Sequence, residues 1–262
     1  MIEAIARFDD PRVADYAHVG DAAWLRAHGL FVAEGRLVVR RLLAGGRFEV
    51  ASVLVTPAAR SALADVLEGA GAQVYVCGQE DLNALAGFNF HRGCIALAHR
   101  RQGADLDALL GARLLVAVEQ VGNPDNVGGI FRSAHAFGAG GVVLDTRSAD
   151  PLYRKAIRTS MGATIRLPFS QVEQWPAALG RLRDAGFEVL AFTPSGDADD
   201  LELVTSRDAG KVVLLFGSED GGLSAAAFEA AHRRVRIPVD PRSDSLNVSV
   251  AAGIALHRFR VL

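Results

Sequence analysis

Val212-Val213-Leu214-Leu215-Phe216-Gly217-Ser218-Glu219-Asp220-Gly221-Gly222-Leu223-Ser224 runs from an unbroken apolar stretch straight into a glycine-rich turn. A run of that length and composition reads as a parallel strand buried on both faces, and the glycines then fall at its carboxyl end, where open α/β sheets bind ligands. Glycine lets the backbone approach a ligand closely, and Ser224 is placed to cap a following helix. Glu219 and Asp220 argue against a phosphate cradle, because carboxylates would repel the anion that the loop amides attract. A neutral or cationic ligand suits the loop better. Neither G-x-G-x-x-G nor G-x-x-x-x-G-K-[ST] occurs in the chain, which removes the usual warrant for a dinucleotide or ATP.

Working outward, further apolar runs predict strands near Leu114–Val118, Val142–Leu144, Glu188–Phe192 and Val235–Ile237, with helices between them. The pattern is that of a mainly parallel α/β sheet. Upstream, helices are expected near Gly35–Leu43 and Ala58–Glu68 and strands near Val50–Val55, Gln73–Val76 and Cys94–Ala98, a small α/β unit over residues 1–98. The polar stretch from His99 reads as a linker, 99–112, ahead of a second domain over 113–262.

The 262 residues, 50% of them hydrophobic, allow one large or two modest domains. Early acids and the absence of long apolar runs argue against a signal peptide or a membrane helix, so a cytoplasmic protein is expected. Cys77 and Cys94 lack metal or disulfide spacing and read as buried thiols, with no metal site expected. A net charge of −2 carries no bulk signal for nucleic acid, but arginines cluster locally at Arg36/Arg40/Arg41, around Arg100, and at Arg154/Lys155/Arg158.

After Leu114–Val118 comes Asn123-Pro124-Asp125-Asn126-Val127-Gly128-Gly129-Ile130-Phe131-Arg132-Ser133-Ala134. Asn126 is expected to cap a helix whose Ile130, Ala134 and Phe137 face the core. Arg132, about 200° around from Ile130, then points away from that core and is free to act on a substrate. Near the end of the chain, Ile237-Pro238 precedes Ser245-Leu246-Asn247-Val248-Ser249-Val250-Ala251. A helix over 246–260 is expected there, capped by Asp244 or Ser245, with Leu246, Val250 and Ile254 on its packed face and small Ala251, Ala252 and Gly253 allowing close approach.

Together these segments closely resemble the three motifs of the SpoU, or TrmH-like, RNA 2'-O-ribose methyltransferases of the SPOUT superfamily. Asn123, Asn126, Gly128 and Arg132 match the first motif, and Phe216, Gly217, Glu219 and Gly222 the second. Ile237-Pro238 with Ser245 to Ala251 matches the third, and Arg158 to Ala163 looks like the intervening segment. Residues 1–98 resemble the small substrate-binding domain of many members, itself similar to RNA-binding ribosomal proteins, through Phe31 to Arg36 and His91 to Ala98. The acid at Asp125 and the glycine at Gly129 depart from the residues usual in the family.

The resemblance implies a SPOUT domain with a deep trefoil knot, an exception to the rule that chains stay unknotted. It implies S-adenosylmethionine as cofactor, held at Gly217, Ile237 and Leu246, with Thr193 and Gly222 nearby; the cationic sulfonium agrees with an acid-bearing loop. Arg132, Asn126, Glu219, Asn247 and Ser245 become the catalytic candidates, with Asn126 and Glu219 holding the arginine. Arg36, His91, Arg92, Arg154 and Arg158 become candidates for RNA contact, and Phe88 and Phe90 could stack on bases. A homodimer through the C-terminal domain is implied as well. The activity so implied is methylation of a ribose 2'-hydroxyl in structured RNA, rRNA in preference to tRNA; the alternative is a catalytically silent, RNA-binding ribosome-assembly factor of the same fold.

Overall fold

The computed structural model describes residues 2–7, 9–87, 92–101, 103–204 and 210–261. The chain forms two compact units, Met1–Gln102 with Leu152–Arg166, and Gly103–Pro151 with Leu167–Leu262.

The first unit contains, in order, β1 (Ile2–Ala4), α1 (Ala22–Ala27), β2 (Leu30–Glu34), α2 (Arg36–Gly45), β3 (Val50–Val55), α3 (Pro57–Ala62), α4 (Ala64–Leu67), β4 (Gln73–Val76), α5 (Gln79–Ala86) and β5 (Cys94–His99). Its five-stranded sheet has the order β1-β4-β3-β5-β2, with β5 antiparallel to both neighbours. The expected 58–68 helix is two short ones: Pro57 and the Thr56 side chain, which accepts from the amide of Ala59, start the first, and Leu63 interrupts. Tyr16, Leu25, Val32, Leu54, Leu82 and Ile95 pack one core. Cys77 and Cys94 are free and buried.

The second unit is built on β6 (Leu114–Val118), α6 (Pro124–Ala136), β7 (Gly141–Asp145), β8 (Phe169–Val172), α9 (Trp175–Asp184), β9 (Phe187–Phe192), β10 (Asp199–Asp200), β11 (Lys211–Phe216), α10 (Ala225–Ala230), β12 (Arg233–Arg236) and α11 (Val248–Arg258). Between β7 and β8 the chain leaves to form α7 (Arg154–Thr159) and α8 (Ala163–Arg166), whose contacts lie with α2 and β2 of the first unit. The seven strands are all parallel, in the order β10-β12-β9-β11-β6-β7-β8. Central strands β6, β7 and β11 are buried almost throughout, as their unbroken apolar runs require. Leu115, Ala117, Val213 and Leu215 meet α9 and α10 on one face; α6 and α11 pack on each other, with α11 against β11.

From β6 the chain proceeds outward through β7 and β8, then returns to build β9, β11 and β12 on the other side. The order therefore reverses between β6 and β11, and the loops leaving these neighbours flank the crevice where such sheets bind ligands.

Several details depart from the sequence reading. Asn123, directly before Pro124, caps α6 by accepting from the amide of Asp125, while Asn126 is turned inward and buried. Proline at the first helical position was the signal for this cap. Helix α11 begins at Val248 and is capped by Asn247, not by Asp244 or Ser245. Its buried face is Val248, Ala252, Ala255 and Leu256; Val250 and Ile254 are 50% and 40% exposed. Strands β1, β2, β8 and β10 were not expected. Within the stretch read as a linker, His99 closes β5, while Leu106 and Leu109 are buried in the core of the second unit. Among the described residues no helix is long and apolar enough to cross a membrane.

Candidate cofactor and active site

A cavity of about 990 Å³ opens in the second unit beyond the carboxyl ends of β9 and β11. Phe192 and Phe216 end those strands and stack at 4.6 Å in its wall. All five residues proposed to hold a cofactor, Thr193, Gly217, Gly222, Ile237 and Leu246, line it.

The glycine loop is folded onto itself. Ser218 and Gly222 exchange backbone hydrogen bonds of 3.2 and 3.0 Å, and Gly222 has φ 64°. A Cβ on Gly217 would overlap the carbonyl group of Gly222, so glycine is required there by the loop's own backbone before any ligand is considered. Ser224 caps α10 as expected, its hydroxyl accepting from the amide of Ala227.

Asn247 joins the three motifs. Its Nδ2 donates to Asn126 Oδ1 at 2.9 Å and to Glu219 Oε1 at 2.8 Å, while its Oδ1 accepts from the amides of Ser249 and Val250 at the start of α11. Asn126 and Glu219 therefore hold Asn247 rather than Arg132. Arg132 is exposed on α6, pointing away from the core as its helical position requires. Ser245 is exposed and lines the cavity outside the Asn126–Asn247–Glu219 cluster. The small residues let α6 and α11 close on each other: a Cβ on Gly129 would lie 2.8 Å from Ser249 Cβ.

The electrostatics favour a cation. Glu219, Asp220, Asp240 and Asp244 all line the cavity, and the lining Arg236 is offset by Asp200, whose Oδ1 accepts from Arg236 Nε at 2.5 Å. Asp240 is ion-paired with Arg242, which holds its carboxyl below the ordinary range, so the excess of negative charge on the lining rests on Glu219, Asp220 and Asp244. Among the described residues no cluster of metal-ligating side chains forms.

Within the first unit, Arg36 and Arg92 are both exposed where β2 ends and β5 begins. Gly35, at φ 85°, admits Arg92 across its face, where a Cβ would stand 2.8 Å from Arg92 Cδ. Arg154 donates from Nε to the buried carboxylate of Glu34 at 2.5 Å, and Arg158 stands 3.7 Å from the other oxygen. Arg154 thus ties α7 to β2, while Arg158 stays largely exposed. Arg40 pairs with Asp65, and Arg41 donates to the carbonyl of Met161. His91, Phe88 and Phe90 lie outside the described residues.

Sequence reasoning missed Glu119, directly after β6, and Asp145, the last residue of β7, both buried. A lone acid closing each apolar strand was the available signal.

Comparison with known proteins agrees with this geometry. Residues 113–257 match the model of the SpoU rRNA Methylase family. An "uncharacterized tRNA/rRNA methyltransferase" of Mycobacterium tuberculosis is 37% identical over 255 residues, 95% of this chain and 88% of its own. The AdoMet-bound rRNA methyltransferase from Sinorhizobium meliloti superposes with a TM-score of 0.84 at 25% identity, covering 98% of this chain and 97% of its own. An RNA 2'-O ribose methyltransferase structure superposes at 0.74 with 27% identity, covering 98% and 97%.

Proposed function

The chain belongs to the SpoU rRNA methylase family, and from this premise we infer that it methylates a ribose 2'-hydroxyl in RNA with S-adenosylmethionine as methyl donor. The observation that carries the reading is the Asn247 hub, which binds the first and second motifs together at the edge of an acid-lined cavity.

The residues present suit this cofactor: the cavity is large enough, its walls carry backbone groups at Gly217, Ile237 and Leu246, and its carboxylates favour a positive ligand. When bound there, S-adenosylmethionine supplies a methyl group on a sulfonium. Thr193 and Gly222 complete the binding set. Asn126, Glu219 and Asn247 fix the relative positions of α6, the glycine loop and α11. Arg132, exposed on α6, orients the ribose and its phosphate. A guanidinium holds its proton in ordinary surroundings, so positioning is the minimum role and base chemistry at Arg132 the further one. Ser245, on the cavity rim, faces the same ligand space.

The proposal extends to rRNA as substrate in preference to tRNA, to the cytoplasm as location, and to contact with RNA through Arg36, His91, Arg92, Arg154 and Arg158 of the first unit. It also includes the trefoil knot of the family and a homodimer through the C-terminal domain, for which the exposed Val250 and Ile254 of α11 are the support.

The test is to map ribose methylation in rRNA and tRNA from cells with and without the gene. Loss of one methylated rRNA linkage is expected. A loss confined to tRNA would overturn the substrate assignment, and unchanged maps in both would overturn the activity. Deleting residues 1–98 is a poor companion test, because it would strip α7 and α8 of Glu34 and α2; charge-reversal of Arg36 or Arg92 is cleaner.

A further inference from the structure

The loop Gly217–Ser224 is pinned at its far end by a residue that no motif contains. Glu119 follows directly on β6 and is 3% exposed. Its Oε2 accepts from the backbone amide of Ser224 at 2.8 Å and its Oε1 from the hydroxyl of Ser224 at 2.8 Å. The Glu119 amide in turn donates to the carbonyl of Phe216 at 2.9 Å. One residue therefore grips both ends of the segment that lines the cavity, at Phe216 by its backbone and at Ser224 by its side chain.

Glu119 is itself held in place. Gln120 adopts φ 58°, a left-handed conformation costly for a residue with a side chain, and its amide donates to Asp145 Oδ1 at 2.9 Å. The amide of Val121 donates to Ser148 Oγ at 3.1 Å, and that hydroxyl donates to Asp145 Oδ1 at 2.6 Å. Segment 119–121 is thus clamped between the β7 and β11 loops, at the point where the strand order reverses, before it runs on to Asn123 and α6. Burying a carboxylate is costly unless its oxygens are hydrogen-bonded, and an apolar side chain would close the end of β6 without that cost. What the carboxylate adds is a fixed distance between the two loops.

We propose that Glu119 is a positioning residue for cofactor binding: by holding Ser224 it sets where the loop presents its backbone to the cavity and where Glu219 meets Asn247. The inference rests on the cavity being the S-adenosylmethionine site.

Calorimetry with S-adenosylmethionine and hydrogen exchange of the unliganded full-length chain test it, on wild type, Glu119→Ala, Glu119→Gln and Ser224→Ala. Leu182→Ala, a buried α9 position in the same unit away from the cavity, serves as a control for general loss of stability. Glu119→Ala is expected to weaken binding at least tenfold and to speed exchange at Gly222 to Ser224 at least tenfold. Glu119→Gln keeps an acceptor for the Ser224 amide and should stay within about threefold of wild type in both. Ser224→Ala, losing half the grip, should fall between.

Glu119→Ala binding within twofold of wild type would overturn the proposal, as would an equal loss of affinity in the Leu182 control. If Glu119→Ala does not fold, wild-type affinity in Ser224→Ala overturns it instead. No binding by the wild type would refute the cofactor reading itself, and unchanged exchange in Glu119→Ala would refute the grip independently of any ligand.

Discussion

Replacing Asn247 separates two roles that one side chain plays. Its Oδ1 caps α11 and its Nδ2 donates to Asn126 and Glu219. Asn247→Ala removes both. The lost cap costs about 1 kcal/mol. Asn126 is 5% exposed, so its Oδ1 is left without this donor in a buried site, at about 1–3 kcal/mol. Glu219 is exposed and water replaces its lost partner at little cost. The sum is about 2–4 kcal/mol, read as a shift of the urea midpoint at unchanged slope. Asn247→Asp keeps the cap, since aspartate is as good at that position, but sets an acceptor against the oxygens of Asn126 and Glu219. If the hub matters, this variant remains destabilised by about 1–3 kcal/mol and loses cofactor affinity and turnover. Urea unfolding, calorimetry with S-adenosylmethionine and single-turnover methylation on both variants decide the matter. Wild-type stability and turnover in Asn247→Asp would reduce Asn247 to a helix cap and refute the reasoning.

Gly217→Ala should force the loop open against Gly222 and abolish measurable cofactor binding; calorimetric affinity equal to wild type would show that the loop can reshape at no cost. Arg132→Lys and Arg132→Ala should both lower single-turnover methylation: an altered pH profile in the lysine variant marks base chemistry, a shared profile with a lower plateau marks positioning, and wild-type rates in the alanine variant defeat both. Arg92→Glu should weaken RNA binding and lower the magnitude of the log–log salt slope by about 1, read in gel shifts across a salt series. Burial pushes the Cys77 and Cys94 thiols up to about 11, so each favours folding fully below the ordinary thiol range and loses that contribution as pH rises toward 11. Both should react with a disulfide reagent at pH 8 far more slowly in the native chain than in urea, and equal rates would show them exposed.

The strands flanking the crevice were legible because each is buried on both faces, which leaves an unbroken apolar run that no surface strand carries. Strand β8, Phe169–Val172, carries polar residues at the rim of the sheet and leaves no such trace. The glycine loop was legible too, although the reason for Gly217 lies in its contact with Gly222 rather than in ligand space alone.

By itself the sequence determined the parallel sheet, the place of the glycine loop at a strand end and the residue types of the three motifs, since these depend on local runs and short spacings. Tertiary structure alone decided which asparagine caps α6, because Asn126 is drawn inward by Asn247, a partner 121 positions away. It likewise decided which face of α11 is buried, for the close approach to α6 through Gly129 and Ser249 turns Val250 and Ile254 outward. The grouping of α7 with the first unit depends on Glu34 meeting Arg154 across 120 positions. Hydrogen bonds and packing between segments so distant follow from the path of the chain, and no periodicity within either segment records them.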